Sequence, residues 1–398
     1  MDFAFTAEQE EFRQELDDFI RQLLPPDWDE MAIYWPAGYG TIPIAEAEFR
    51  DFMNELNRKL GEKGWLIAGW PKEYGGMSSM TMQAIVDEVT SYYRAPAGGI
   101  ATMIAGPTLI AVGSEEMKKE WLPKIASGEA AFWLGYSEPN AGSDLGAIKT
   151  TAIADGDDFV VNGQKTWSSA AHVSDHAWLL ARTDLEASKH KGATLFLVDN
   201  NSPGITIRPI ENICGIHSFN EVFFDNVRVP KKNIVGQLHQ GFYNVMLALQ
   251  FERLLVGAGA FRRVLEELIQ YARETMLDGR PLSKNPVVRN KLASMAIEIE
   301  VLYGFYWRTA WLMDQGKIPE LEASVLKLFA TELSRKLAST AMEILGPYGQ
   351  LEKGSDWAPL GGRISLGYLD SISGPIGAGT SEIQRSIIAT RGLGLPRK

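Results

Sequence analysis

The residues that could do chemistry begin near the C-terminus, in Gly374-Pro375-Ile376-Gly377-Ala378-Gly379-Thr380-Ser381-Glu382-Ile383-Gln384-Arg385. A glycine-rich turn here feeds the start of an apolar helix. Thr380 is suited to an N-cap, and Glu382 falls in the first turn, where the helix dipole favours negative charge. Gly377 and Gly379 carry no Cβ, so a flat ligand can approach the backbone closely. Free N–H groups at such a start can hold an anion or a polarised carbonyl. Other chemistries fail on their patterns. Gly257-Ala258-Gly259-Ala260 lacks the third glycine of a dinucleotide fingerprint and is expected in mid-helix rather than after a strand. His172 and His176 have i,i+4 spacing, but no glutamate or cysteine company for a metal. No G-x-S-x-G elbow is present for a serine hydrolase.

Two further stretches join the C-terminal turn. Tyr136-Ser137-Glu138-Pro139-Asn140-Ala141-Gly142-Ser143-Asp144 precedes Val161-Asn162-Gly163-Gln164-Lys165-Thr166-Trp167-Ser168-Ser169. In this order and spacing the three resemble the acyl-CoA dehydrogenase flavoprotein family, over nearly the whole chain. The resemblance implies FAD-dependent α,β-dehydrogenation of an acyl-CoA thioester, with an electron-transfer flavoprotein as acceptor. It places FAD contacts on Leu134, Tyr136, Ser137, Gly142, Ser143, Trp167, Ser169, Thr380 and Glu382, with Ser143 also near the CoA arm. Read alone, Trp167 is favoured as a core aromatic. Glu343, Gly346 and Pro347, from Glu343-Ile344-Leu345-Gly346-Pro347-Tyr348-Gly349, match a stretch that reaches the flavin of a neighbouring subunit. Relatives usually have Gln at the first of these positions and Gly where Pro347 stands. The family's pyrophosphate Arg is replaced by Thr275, and Arg273, Arg280 and Arg289 are the candidates to compensate.

The family's usual base is a Glu in a Tyr-Glu-Gly-Thr turn, where this chain has Gly377-Ala378-Gly379-Thr380. Alanine cannot accept a proton. Some relatives carry the base on a helix of the C-terminal domain, immediately before an Arg, and Phe251-Glu252-Arg253-Leu254 matches that position. The pattern puts Phe242, Val245, Met246, Leu249 and Val256 on one apolar stripe, with Arg253 within it and Glu252 at its edge. A carboxylate beside an apolar face has a raised pKa, which suits a general base near neutrality. The alternative is a structural Glu252 paired with Arg at a subunit contact. Gln250 and Arg253 are candidates for lining the substrate pocket. The Ala378 backbone N–H can still polarise the thioester carbonyl. The open turn favours a bulky acyl group, branched or cyclic. It and Arg391-Gly392-Leu393-Gly394-Leu395-Pro396-Arg397 resemble the branch acting on alicyclic, steroid-derived or dicarboxylic CoA esters. Two other functions on the same fold stay open: a non-catalytic or half-site subunit of a mixed tetramer, and a flavin monooxygenase or oxidase.

The elements that must position these residues follow from periodicity. Residues 1–130 read as helical, with Phe12, Leu16, Phe19, Ile20 and Leu23 on one face and Pro25-Pro26 ending the first helix. Residues 28–45 read as loop, and helices are expected near 45–63, 80–93, 98–112 and 114–125. From about 131 to 235 the grammar is that of strands and hairpins. From 236 to 398 it is helical again, with long patterns at 240–277, 286–316, 319–345 and 380–391. The expected class is α+β, and the resemblance implies an N-terminal helical domain, a middle β-barrel-like domain and a C-terminal four-helix bundle. The 398 residues suffice for two or three cores, and 45% hydrophobic with 22% charged residues is ordinary for a globular chain. A net charge of −11 argues against nucleic acid and against a basic membrane-surface patch. The single Cys214 cannot close an internal disulfide. With no signal-peptide pattern and no spanning apolar run, a cytoplasmic enzyme is expected. The resemblance implies a homotetramer or a mixed tetramer or dimer.

Overall fold

A computed structural model describes residues 4–32, 47–95, 97–252 and 256–396. They form two compact units, each discontinuous in sequence. One takes residues 1–42, 78–97 and 253–398, and the other residues 43–77 and 98–252.

The helical unit opens with α1 (Ala7–Leu23), which buries Phe12, Leu16 and Ile20. Thr6 and Gln9 close a reciprocal capping box at its start. The one-turn α2 (Trp28–Met31) lies in the segment expected as loop, and the rest of that expectation, 33–45, lies outside the described residues. The sheet unit contributes α3 (Ala47–Glu62), and the helical unit resumes with α4 (Met80–Tyr92), capped by Ser79. In the sheet unit, α5 (Gly106–Val112) follows a five-residue π-turn at Ala101–Ala105, and α6 (Glu115–Ala126) is capped by Ser114.

The strands are β1 (Phe132–Gly135), β2 (Thr151–Asp155), β3 (Asp158–Lys165), β4 (His176–Arg182), β5 (Ala193–Asp199), β6 (Ile205–Glu211), β7 (His217–Pro230) and β8 (Ile234–Val235). Their order in the sheet is β6-β7-β3-β2-β4-β5-β8, with β1 parallel to β4. Trp178, Leu180, Leu195 and Leu197 face one core with Ile104, Leu109, Ile125 and Val245. Their neighbours Leu179, Phe196 and Val198 face a second core with Trp133, Phe224 and Val227. Strand side chains alternate in direction, so continuous burial along β4 and β5 means that both sheet faces are covered.

The helix α7 (Gly241–Glu252) completes the sheet unit and packs on β5. The expected long helix over 240–277 is instead two helices, because α8 (Ala258–Glu274) starts anew after Gly257. Gly257 is the N-cap of α8, with φ of +60°, not a mid-helix residue. That left-handed backbone is accessible to glycine at little cost. Two residues on, a Cβ at Gly259 would come within 1.9 Å of the Glu88 carbonyl oxygen, so α8 sits against α4 at glycine distance.

A β9–β10 hairpin (Met276–Leu277, Arg280–Pro281) leads into α9 (Pro286–Asp314), then α10 (Glu320–Leu345). With α4 and α8 they enclose Phe261, Leu268, Ile299, Leu302, Tyr306, Leu326 and Leu337. A short α11 (Arg363–Asp370), absent from the periodicity reading, precedes α12 (Ser381–Ile387). The class is α+β, in the expected order of helices, sheet and helices. Among the described residues no helix is long and apolar enough to cross a membrane.

Candidate functional site

In the sheet unit the chain leaves β1 through Tyr136 and folds back on itself, the Glu138 and Ala141 main chains exchanging hydrogen bonds of 3.0 Å. A buried ion pair fixes this loop. The Lys165 Nζ, fully enclosed, donates to Glu138 Oε1 at 2.9 Å and to the Tyr136 carbonyl at 3.0 Å. The Lys149 and Thr150 N–H groups donate to the same carboxylate at 2.6 and 2.9 Å. Burial opposes the Glu138 charge, but the Lys165 ammonium and these donors outweigh it and hold the carboxyl below its usual range. Burial pulls the Lys165 ammonium down to about 8, still charged at neutrality. The Thr166 N–H reaches the Ser137 carbonyl at 2.9 Å. Leu134, Tyr136 and Ser137 are thus joined to the chain leaving β3, which carries Trp167 and Ser169.

Trp167 is 61% exposed and has φ of +58°, which overturns its reading as a core aromatic. A bulky residue there costs roughly 1–2 kcal/mol. Its neighbours hold it. The Ser168 N–H donates to the Asn220 carbonyl and the Ala170 N–H to the Ser218 carbonyl, each at 3.0 Å. The result is a flat ring presented outward on a fixed backbone, edge-to-face with Phe219 at 6.0 Å. Gly142 and Ser143 are exposed, and nothing lies within 4 Å of where a Gly142 Cβ would be. An open aromatic face beside hydroxyl, main-chain and glycine positions fits an isoalloxazine and its polar tail.

In the helical unit, Ala378 has φ of +49° and is half-buried. Among the described residues nothing accepts its N–H. The turn is fastened from below by the fully buried Lys327 of α10, whose Nζ donates to the Gly374 and Gly379 carbonyls at 3.1 and 2.8 Å. Gln384 Nε2 donates to the Ala378 and Gly379 carbonyls at 3.2 and 3.3 Å. Thr380 caps α12 by accepting the Ile383 N–H at 3.2 Å. Glu382 is exposed, and its carboxyl is held below the usual range by hydrogen bonds to its own main chain and to Thr380. The turn therefore offers a fixed main-chain donor and no carboxylate at 378.

Other expected residues are placed differently. Glu252 is the last residue of α7, and its side chain and that of Gln250 lie outside the described residues, as does Arg253 altogether. The stripe expected along this helix holds only in part. Val245 is buried, Phe242 and Leu249 are half-buried, Met246 is exposed, and Val256 is buried but lies beyond the helix end. The Glu343 carboxylate is engaged by Lys291 within its own unit, while Pro347 is exposed at the end of α10. The Thr275 main chain closes the β9–β10 hairpin, accepting from Leu282 N at 2.8 Å, and Arg273 and Arg280 are exposed beside it. His172 and His176 share no helix, since His176 opens β4, and among the described residues no group of three His, Cys, Asp or Glu could hold a metal.

Sequence reasoning missed Glu138, Lys165, Asn220 and Lys327. A signal existed for Lys327: at helical spacing it falls in line with the small buried residues Ala323, Ala330, Thr331 and Ser334. Lys165 stands at an inward position of β3, two residues from the tryptophan.

The comparisons with known proteins agree along the chain. Residues 6–129, 134–227 and 239–393 match the family models described as acyl-CoA dehydrogenase N-terminal, middle and C-terminal domains. Acyl-CoA dehydrogenase FadE26 of Mycobacterium tuberculosis is 35% identical over 407 residues, covering 100% of this chain and 99% of that one. Among solved structures, the Tcur3481-Tcur3483 steroid ACAD is 33% identical with a TM-score of 0.89, covering 100% of both chains. The ChsE4-ChsE5 complex from Mycobacterium tuberculosis is 34% identical with a TM-score of 0.88, again covering 100% of both. The chain belongs to the acyl-CoA dehydrogenase family and is an FAD-dependent oxidoreductase acting on acyl-CoA.

Proposed function

We propose that Glu252 removes the α-proton of a bulky acyl-CoA, cyclic or branched, while the Ala378 N–H holds the thioester carbonyl. FAD held by the residues below would supply the acceptor for the β-hydrogen, which leaves as hydride. The single observation that carries the reading is Ala378: a strained, fastened residue offers an open N–H where the side chain can take no proton. The base must then come from elsewhere, and Glu252 stands on the sequence position, before an Arg, where other family members carry theirs. A carbonyl held by a preorganised N–H acidifies the adjacent carbon, which makes a carboxylate a sufficient base. Trp167, with Leu134, Tyr136, Ser137, Gly142, Ser143 and Ser169, is the flavin-facing set of the sheet unit, and Thr380 and Glu382 that of the helical unit. An Ala378 methyl leaves room beside the reacting carbon, and the relative named as a steroid ACAD supports a steroid-derived or other alicyclic acyl group. An electron-transfer flavoprotein is the acceptor in this reading.

A mixed assembly with a second, related chain is the other reading. Two structural relatives are named as pairs, and Thr275 stands where the family's pyrophosphate Arg would be. Expression of the chain alone separates the two, since a yellow protein that is reduced by substrate needs no second chain.

The test of the base is anaerobic bleaching of the enzyme's FAD by straight, branched and cyclic acyl-CoAs. Glu252→Gln is expected to keep FAD and bind acyl-CoA but to slow bleaching on the order of a thousandfold, because the amide cannot take the proton. Near-normal bleaching by that variant would assign the base elsewhere.

A further inference from the structure

Behind the Trp167 backbone lies a cluster that the dehydrogenation reading does not use. Asn220 of β7 is fully buried. Its side-chain Nδ2 donates to the Ser168 carbonyl at 2.9 Å, and its own carbonyl accepts the Ser168 N–H at 3.0 Å. One residue therefore grips both sides of Ser168, next to the strained Trp167. Two imidazoles flank it. Asn220 Nδ2 lies 3.1 Å from His172 Nδ1, and Asn220 Oδ1 lies 2.8 Å from His217 Nε2. The two rings are stacked with centroids 3.8 Å apart and planes at 20°.

The hydrogen-bond inventory fixes the protons. The Ser168 carbonyl can only accept, so the amide nitrogen must face it. The second N–H of that amide then points at His172 Nδ1, which must carry a lone pair. The amide oxygen can only accept, so His217 Nε2 carries a proton. The arrangement requires His172 to be neutral. Burial pushes the His172 imidazole down to about 4, and the neighbouring His217 and Arg50 disfavour a charge there further. Rotating the amide to suit a protonated His172 would turn its oxygen against the Ser168 oxygen and release that anchor.

We propose that Asn220, oriented by His172 and His217, is the positioning residue that holds the Trp167 ring out for the flavin. Asn220 touches neither substrate nor cofactor and acts through the Ser168 main chain. The consequence for FAD rests on the reading of Trp167 as flavin-facing, whereas the consequence for the ring does not.

The experiment uses FAD-loaded enzyme labelled with 5-fluorotryptophan, the Trp167 fluorine resonance being identified by its loss in Trp167→Phe. Asn220→Asp keeps the shape but turns the donor facing Ser168 into an acceptor. It is expected to shift or broaden the Trp167 resonance while those of Trp133 and Trp178, in the sheet cores, stay in place. FAD retention is expected to weaken on the order of tenfold. His172→Leu removes the acceptor that orients the amide and should shift the Trp167 resonance in the same direction by less. His172→Gln, whose side-chain oxygen can accept the same N–H, should bring the resonance back toward the parent position. A Trp167 resonance unmoved in both Asn220→Asp and His172→Leu would overturn the proposal. A moved resonance with unchanged FAD retention and visible spectrum would uphold the positioning role and overturn the flavin reading of Trp167.

Discussion

Of the left-handed residues that are not glycine, Trp167 in the sheet unit and Ala378 in the helical unit each lie beside a segment fastened by a buried lysine, but the two lysines work differently. In the sheet unit Lys165 neutralises a buried carboxylate, and the pair pins the loop beside Trp167. In the helical unit Lys327 gives its hydrogen bonds to the two glycine carbonyls on either side of Ala378. The difference follows what each site has to offer. In the proposed reading the working part at Trp167 is a ring, and only the backbone beneath it has to be fixed. At Ala378 the proposed working part is the backbone N–H itself, and the ammonium holds neighbouring peptide groups directly.

The largest expected effect is at Lys165. Lys165→Met leaves Glu138 buried without its cation, and breaking a buried pair from one side costs about 3–5 kcal/mol. Urea titration should show a loss of that size. Replacing both partners, with Glu138→Gln added, should recover more than half of it, because no charge is left buried alone. A single variant within about 1 kcal/mol of the parent would mean that the loop does not depend on the pair. At Lys327 the effect should be smaller and of another kind. Lys327→Met strands the Gly374 carbonyl and leaves the Gly379 carbonyl with the Gln384 amide alone, costing about 1–3 kcal/mol. The turn loosens while the proposed flavin-facing set of the sheet unit is untouched. Turnover should therefore fall further than FAD content, measured by activity and by absorbance on the same preparation. Equal losses of both would place Lys327 in general folding instead.

The contrast between the units also marks what the sequence could disclose. The order of helices, sheet and helices was legible because periods of 3.6 and 2 are local. The two-sided burial of β4 and β5 agrees with the apolar runs at 177–181 and 195–198, but was not part of the strand reading. The break between α7 and α8 was not, because the apolar pattern runs through Gly257 and a single glycine is compatible with a helix. The short α11 was hidden among glycines and serines. The buried lysines were hidden for a different reason. Lys165 meets Glu138 across 27 residues, and Lys327 meets its carbonyls across 47 and 52. A lysine is read from sequence as solvated unless its distant partners are known. The outward position of Trp167 was expected only through the resemblance, since aromatic residues read alone are more often buried and the main-chain hydrogen bonds around it come from the distant Ser137, Ser218 and Asn220.

Glycine at each strained position gives the smallest stability effect and the sharpest contrast. A left-handed backbone costs a residue with a Cβ about 1–2 kcal/mol, which glycine avoids. Glycine also gives the unfolded chain more freedom, which costs about 0.5–1 kcal/mol. The two nearly cancel, so Trp167→Gly and Ala378→Gly should each change the unfolding free energy by less than about 1 kcal/mol from this source. Function should then separate them. Trp167→Gly removes the ring, and FAD should be lost on dialysis. Ala378→Gly keeps the N–H and only frees the turn, so turnover should fall roughly two- to fivefold, the rate equivalent of about 0.5–1 kcal/mol of lost ordering. Stopped-flow bleaching of both variants decides the matter. If Ala378→Gly were as damaging as Trp167→Gly, the methyl group at 378 would be contacting the acyl chain, and the role assigned to the bare N–H would have to be shared with it.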